Sequence, residues 1–108
     1  MDQMQFGHMV FFQLVDDSAD SRQKLIDGCF EHLRNHPGQV WFSAGEIADT
    51  DRDVNCRDFD VALHLVFDSR ESHDAYQTAP RHLTFIDQHK ESWRQVKVFD
   101  SVHRAVKP

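Results

Sequence analysis

Alternation of apolar and polar positions organises this chain. Along residues 6–15, Phe6, His8, Val10, Phe12 and Leu14 share one face and Met9, Phe11 and Val15 the other, which predicts a strand. The same period of two is clearest at 58–67, where Phe59, Val61, Leu63, Leu65 and Phe67 alternate strictly. Shorter strands are predicted at 39–44 and at about 95–102, the latter carrying Val96, Val98 and Phe99. Between them the period changes. Leu25, Ile26, Cys29, Phe30 and Leu33 recur at three and four residues, predicting a helix over 18–36 that is entered through Asp17 or Ser18 and left at Pro37-Gly38. Ser69 reads as the N-cap of a second helix, with Glu71 in its first turn, running to about residue 78 and followed by a further helical segment over about 81–92.

The resulting order is strand, helix, strand, strand, broken helix, strand. It is the βαββαβ order of an α+β, ferredoxin-like domain with a four-stranded antiparallel sheet, here predicted to occupy residues 1–108 as a single domain. Helices cover one face of such a sheet, yet both faces here are largely apolar, the second through Met9, Phe11, Ala62 and Val66. Covering a few hundred Å² at roughly 25 cal/mol per Å² is worth several kcal/mol. A homodimer packed sheet against sheet is therefore expected.

Composition narrows the partners. The 108 residues carry a formal charge of −6, and their 12 Lys and Arg are scattered. A nucleic-acid or anionic-membrane partner needs a concentrated basic face, so neither is expected. No apolar stretch reaches spanning length, no basic-then-apolar leader is visible, and Cys29 and Cys56 form no disulfide framework, so a reducing cytoplasm is the expected location.

Candidate chemistry centres on a proline. Pro80 has no N–H for the carbonyl of Tyr76, and it pushes Ala79 out of the helical region. On one unbroken helix, Tyr76 and His82 would point well apart; a break at Pro80 allows both to face one cavity. His82 has the ordinary pKa of a general base, and a protonated Tyr76 could hydrogen-bond a carbonyl or enolate oxygen. His8, among Val10, Phe12 and Leu14, would face the helices and orient His82 or bind a carbonyl. The stripe His82, Phe85, Ile86, His89 and Trp93, with Val10, Phe12 and Phe30, would line an apolar pocket for a small apolar or aromatic carbonyl ligand. The same residues also have a purely structural reading: Tyr76 as a core tyrosine, His82 as a helix start and His8 as a satisfied core histidine.

Several stretches together carry a family likeness: Gly7-His8-Met9-Val10-Phe11-Phe12, Pro37 through Gly45, Phe59 through Phe67, the spacing Tyr76, Pro80, His82, Phe85, then Trp93 and Val98-Phe99-Asp100. In these the chain resembles the stress-responsive A/B barrel (Dabb) family of dimeric α+β barrel proteins. The resemblance implies a cofactor-free, polyketide cyclase- or lyase-like use of His8, Tyr76 and His82. One departure is Ala79, which stands where the family's run has a histidine before the proline. Two alternatives stay open: a non-catalytic stress-responsive or ligand-binding dimer, and a cofactor-independent monooxygenase of the same fold.

Other signals point to structure. Asp49, Asp51, Asp53 and Asn55 resemble the start of a calcium loop, but Val54 occupies the glycine position and Asp60 replaces the final glutamate, so 45–57 reads as a solvated hairpin loop. His32 and His36 are spaced like a metal pair without a third ligand, and near a helix C-terminus they would serve its dipole. His64 is expected at the dimer face. No metal or other cofactor is expected.

Overall fold

The computed structural model describes residues 2–106. Four strands, β1 (Asp2–Leu14), β2 (Gln39–Glu46), β3 (Val61–Phe67) and β4 (Trp93–Val106), form one antiparallel sheet in the order β2-β3-β1-β4. Helices α1 (Ala19–His32), α2 (Arg70–Gln77) and α3 (Pro80–His89) connect them, with a 3₁₀ turn at Lys90–Ser92 leading into β4. This is the ferredoxin-like order that the pattern of apolar positions predicts.

Side-chain alternation sets the core. Val10 and Phe12 of β1 stand beside Leu63 and Val61 of β3 and beside Val98 and Val96 of β4. Residues directly opposite share a face. Val10, Phe12, Val61 and Leu63, with Leu25 and Cys29 of α1, Leu33 at its C-cap and Phe85 of α3, belong to the buried cluster beneath the helices. Cys29 is fully enclosed there, and burial pushes its thiol up to about 12, which leaves it an inert packing residue.

The helix ends follow local chemistry. Ser18, not Asp17, caps α1, its hydroxyl accepting the Ser21 N–H at 3.2 Å. Ser69 caps α2 in the same way through Ser72 N–H. The first helix ends at His32 instead of continuing to 36, because Asn35 and then Gly38 take left-handed backbone (φ 63° and 79°). Its terminal carbonyls are taken up from outside: Gln39 Nε2 donates to Leu33 O, and the Arg81 guanidinium to Glu31 O and Arg34 O. Arg81 thereby ties α3 to α1. Gly38 tolerates no substitute, since a Cβ there would lie 2.1 Å from Ser72 Oγ.

Two expectations need correction. The third strand starts at Val61, and Phe59 turns to the opposite face, its ring 5.0 Å from Phe11. The cause is Asp60, whose buried carboxylate accepts the Leu14 N–H at 2.7 Å and pairs with Arg22 at 3.1 Å. That anchor interrupts the alternation just before the strand. The last strand is also longer than the apolar run 95–102, because its ladder with β1 extends from Trp93 to Val106. Backbone pairing carries it through a stretch whose side chains show no clear alternation.

Candidate functional site

Between the sheet and the α2–α3 elbow lies a cavity of about 190 Å³. The break at Pro80 creates it. Ala79 is extended (φ −64°, ψ 139°), Pro80 occupies the first position of α3, and the Tyr76 carbonyl takes the Ala79 N–H instead of a fourth-residue donor. An unbroken helix would spend the Gln77 carbonyl on residue 81. Here His82 Nδ1–H donates to it at 3.0 Å. A carbonyl only accepts, so the contact assigns the proton to Nδ1 and leaves the Nε2 lone pair for the cavity that His82 lines.

The structure brings all three polar candidates to this cavity. The Tyr76 and His82 rings lie 4.5 Å apart, and Tyr76 and His8 6.1 Å apart edge to face. Tyr76 is 3% exposed and held between Phe67 and His36. Burial pushes its hydroxyl above the ordinary 10.0, with Cys29 adding to the shift, so it stays a donor. Burial also lowers His82 below 6.5, against the Gln77 carbonyl and helped by His8, His36 and His73. His82 is thus a neutral imidazole with a free nitrogen near pH 7.

Val10, Phe12, Phe85 and Trp93 line the cavity's apolar side, their aromatic rings 5.1 to 6.4 Å apart. Trp93 N–H is buried with no hydrogen-bond partner among the described residues. Phe30 does not take part: it is 41% exposed and packs edge-on against Phe42. It follows Cys29 directly, about 100° around the helix from the inward stripe of Leu25, Cys29 and Leu33. His89 lies outside too, buried against Phe85 and beside Gly28. In place of these two, Val96 and Val98 of β4 form the partly open mouth.

His8 does not contact His82 as an orienting partner. Its Nδ1 lies 2.6 Å from Asp100 Oδ1 and 3.2 Å from His73 Nε2. His73 Nδ1 in turn meets Asp74 Oδ1 at 3.1 Å, and Gln77 Nε2 lies 3.0 Å from its Nε2. A carboxylate only accepts, so Nδ1 carries the proton on both imidazoles, which leaves His8 Nε2 as an acceptor. Burial lowers the His8 pKa, with the Asp100 hydrogen bond opposing it. Sequence reasoning missed His73, Asp100 and His36 as members of this cluster. His73 had a readable signal, sitting three residues before Tyr76 on one helix face. Asp100 had none, because only the pairing of β1 with β4 places it opposite His8.

The other metal-like patterns do not converge. His32 Nε2 bonds Gln88 Oε1 and His36 Nε2 donates to the His32 carbonyl, which fits the expected service to the helix end. The 47–60 connection is mostly exposed, with Arg57 donating to Ala48 O and Thr50 O.

A ferredoxin-like α+β sheet with a histidine- and tyrosine-bearing cavity beneath an elbow of two helices is the class that fold and site define. The profile of the Stress responsive A/B Barrel Domain family (Dabb) matches residues 6–103, and the chain belongs to that family. Its fold is shared with a dimeric ferredoxin-like protein of unknown function from Thermobifida fusca (17% identity, 94% of this chain and 92% of that one, TM-score 0.76). It is shared with a Dabb family protein from Mesorhizobium loti (17% identity, 92% and 96%, TM-score 0.75). It is also shared with the hydroxynitrile lyase of Passiflora edulis (19% identity, 96% and 97%, TM-score 0.73). At such identities the likeness is one of fold. No curated protein matches the sequence significantly. Among the described residues no helix is long and apolar enough to cross a membrane.

Proposed function

We propose that the protein binds a small carbonyl compound in this cavity and acts on it as a cofactor-free cyclase- or lyase-like enzyme. The observation that carries the reading is the fixed tautomer of His82, whose Nε2 lone pair stands beside a protonated Tyr76 in an apolar cavity. His82 Nε2 takes a proton from the carbon next to the carbonyl. The electron pair moves onto the carbonyl oxygen, which Tyr76 O–H stabilises by donation. The enolate carbon can then attack a second carbonyl. In the lyase direction, His82 takes a hydroxyl proton, the carbon–carbon bond breaks to leave a carbonyl, and its electron pair departs on the other fragment as a stabilised carbanion that takes the proton back from His82. His8, held by Asp100, accepts a second polar group of the substrate, and the unpaired Trp93 N–H offers a donor at the cavity wall.

Size sets the substrate class. Pockets for drug-sized ligands run from roughly 300 Å³ upward, whereas this cavity measures about 190 Å³. A compact apolar or aromatic aldehyde or ketone fits better than an extended polyketide. The existence of a lyase on the same fold agrees with this.

The functional unit is a homodimer through the open sheet face. There Trp41 and Phe99 are 59% and 58% exposed around Met9, Phe11 and Val66, and the Thermobifida fusca neighbour is a dimer. His64 is exposed within this patch, its ring 6.2 Å from Phe11.

The test is deuterium exchange next to the carbonyl in a panel of small aldehydes and ketones, followed by NMR in D₂O. Exchange that His82→Ala abolishes supports the assignment. Exchange unaffected by both His82→Ala and Tyr76→Phe would overturn it. Binding without exchange would make the protein a carrier.

A further inference from the structure

We propose that His8, His73 and Asp100 form a binding site for one divalent transition-metal ion, with Zn²⁺ as the fitting ion. The two imidazoles and the carboxylate come from three elements, β1, α2 and β4, and their ligand atoms lie within 4.8 Å of one another. His8 Nδ1 and His73 Nε2 are 3.2 Å apart, close to the edge of a tetrahedron with metal–nitrogen bonds of about 2.0–2.1 Å. Two nitrogens and one carboxylate favour zinc or a neighbouring first-row ion over magnesium or calcium, which take oxygen ligands.

As a hydrogen-bonded group the cluster leaves one close approach unused. His8 Nδ1 has one proton, and the 2.6 Å contact to Asp100 takes it. The Gln77 amide serves the His73 Nε2 lone pair at 3.0 Å, so the 3.2 Å approach of His8 Nδ1 to His73 Nε2 has no proton of its own. An ion that displaces the His8 Nδ1 proton gathers three lone pairs on one centre.

The surroundings suit such a site. Asp74 receives the His73 Nδ1 proton, the carboxylate–histidine arrangement that aims the opposite nitrogen of an imidazole at a metal. Both histidines are buried, while the Asp100 side chain is 42% exposed on the edge strand. Asp100 therefore provides the way in, and its carboxylate has room to swing from His8 toward the ion. Solvent fills the remaining position.

Loading has a chemical consequence. An ion on His8 Nδ1 moves that residue's proton to Nε2, so His8 turns a hydrogen-bond donor toward the cavity in place of an acceptor. This consequence rests on the catalytic reading above; the ion site itself does not.

The experiment is a calorimetric titration of the full chain with Zn²⁺, repeated with Co²⁺ while its visible d–d absorption is recorded. The expected result is one ion per subunit with the intense absorption of a four-coordinate site. His73→Ala and Asp100→Ala should each weaken binding by at least about tenfold. His82→Ala should bind as the parent does, so a failure of the metal site and a failure of the carbonyl chemistry are told apart. Asp100, on the exposed edge, supplies a variant that folds should His73→Ala not do so. Absence of binding, or binding unchanged by Asp100→Ala, overturns the proposal.

Discussion

On one face of the sheet, His8 and Val10 stand beside Asp100 and Val98; one residue along the same strands, Met9 and Phe11 stand beside Phe99 and Lys97 on the other. The first face is roofed by α2 and α3, which bury His8, His73 and Tyr76. The second carries Trp41 and Phe99 into solvent with no helix above them. Both are apolar at similar spacing, so hydrophobicity alone does not separate a site from an association surface. What separates them is the roof. Burial under the elbow lowers the pKa of His8 and His82 and raises that of Tyr76, whereas the open face holds only groups that another surface could cover.

Substitutions on each face should therefore dissociate the two properties. The largest effect is expected from His82→Ala, which should lower carbonyl exchange by about 10²–10⁴-fold while sedimentation still reports a dimer. Tyr76→Phe, which removes only the donor, should cost about 10²–10³-fold in kcat. Phe99→Asp on the open face should do the reverse, shifting the protein to monomer at micromolar concentration with the cavity intact. A parent chain that sediments as a monomer would remove the open face from the comparison altogether.

Acid should act through the roofed face. His8, His82 and His89 have native pKa values lowered below 6.5, mainly by burial. The unfolded chain thus takes up protons first as pH falls. Their contribution to stability is complete above about 6.5, is lost as pH falls through the lowered native values, and is flat below them. Thermal melts between pH 7.5 and 5 should show Tm declining in that window. The acid limb of kcat/KM should likewise lie below 6.5, because His82 keeps its lone pair there. The smallest effect belongs to Asp100→Asn, which keeps a hydrogen bond to His8 but removes its charge; it should reduce kcat modestly and leave Tm nearly unchanged.

Much of this architecture was legible in the residues. Period-two runs marked the strands, three- and four-residue spacing marked α1, and Ser18 and Ser69 marked helix starts, because each depends on neighbours a few positions away. The elbow was legible for the same reason: a proline disrupts its own turn wherever it sits, and the Tyr76–His82 convergence follows from Pro80. Failures came where a distant partner overrode a local rule. Phe30 has the spacing of a core residue, but it lies at the edge of the α1 stripe and meets Phe42 instead of the cavity. Phe59 continues an alternation that Asp60 breaks by anchoring Leu14 and Arg22.

The sequence by itself determined the element order, the family, the apolar character of both sheet faces and the residues able to move a proton. Only the tertiary structure decided which nitrogen each imidazole presents, since that depends on acceptors as remote as Asp100 from His8. It also decided that His73 belongs to the cluster and that Val96 and Val98 form the mouth. Local periodicity records which way a side chain points; the partner it finds there is set by strand register and helix packing, which no short stretch of chain contains.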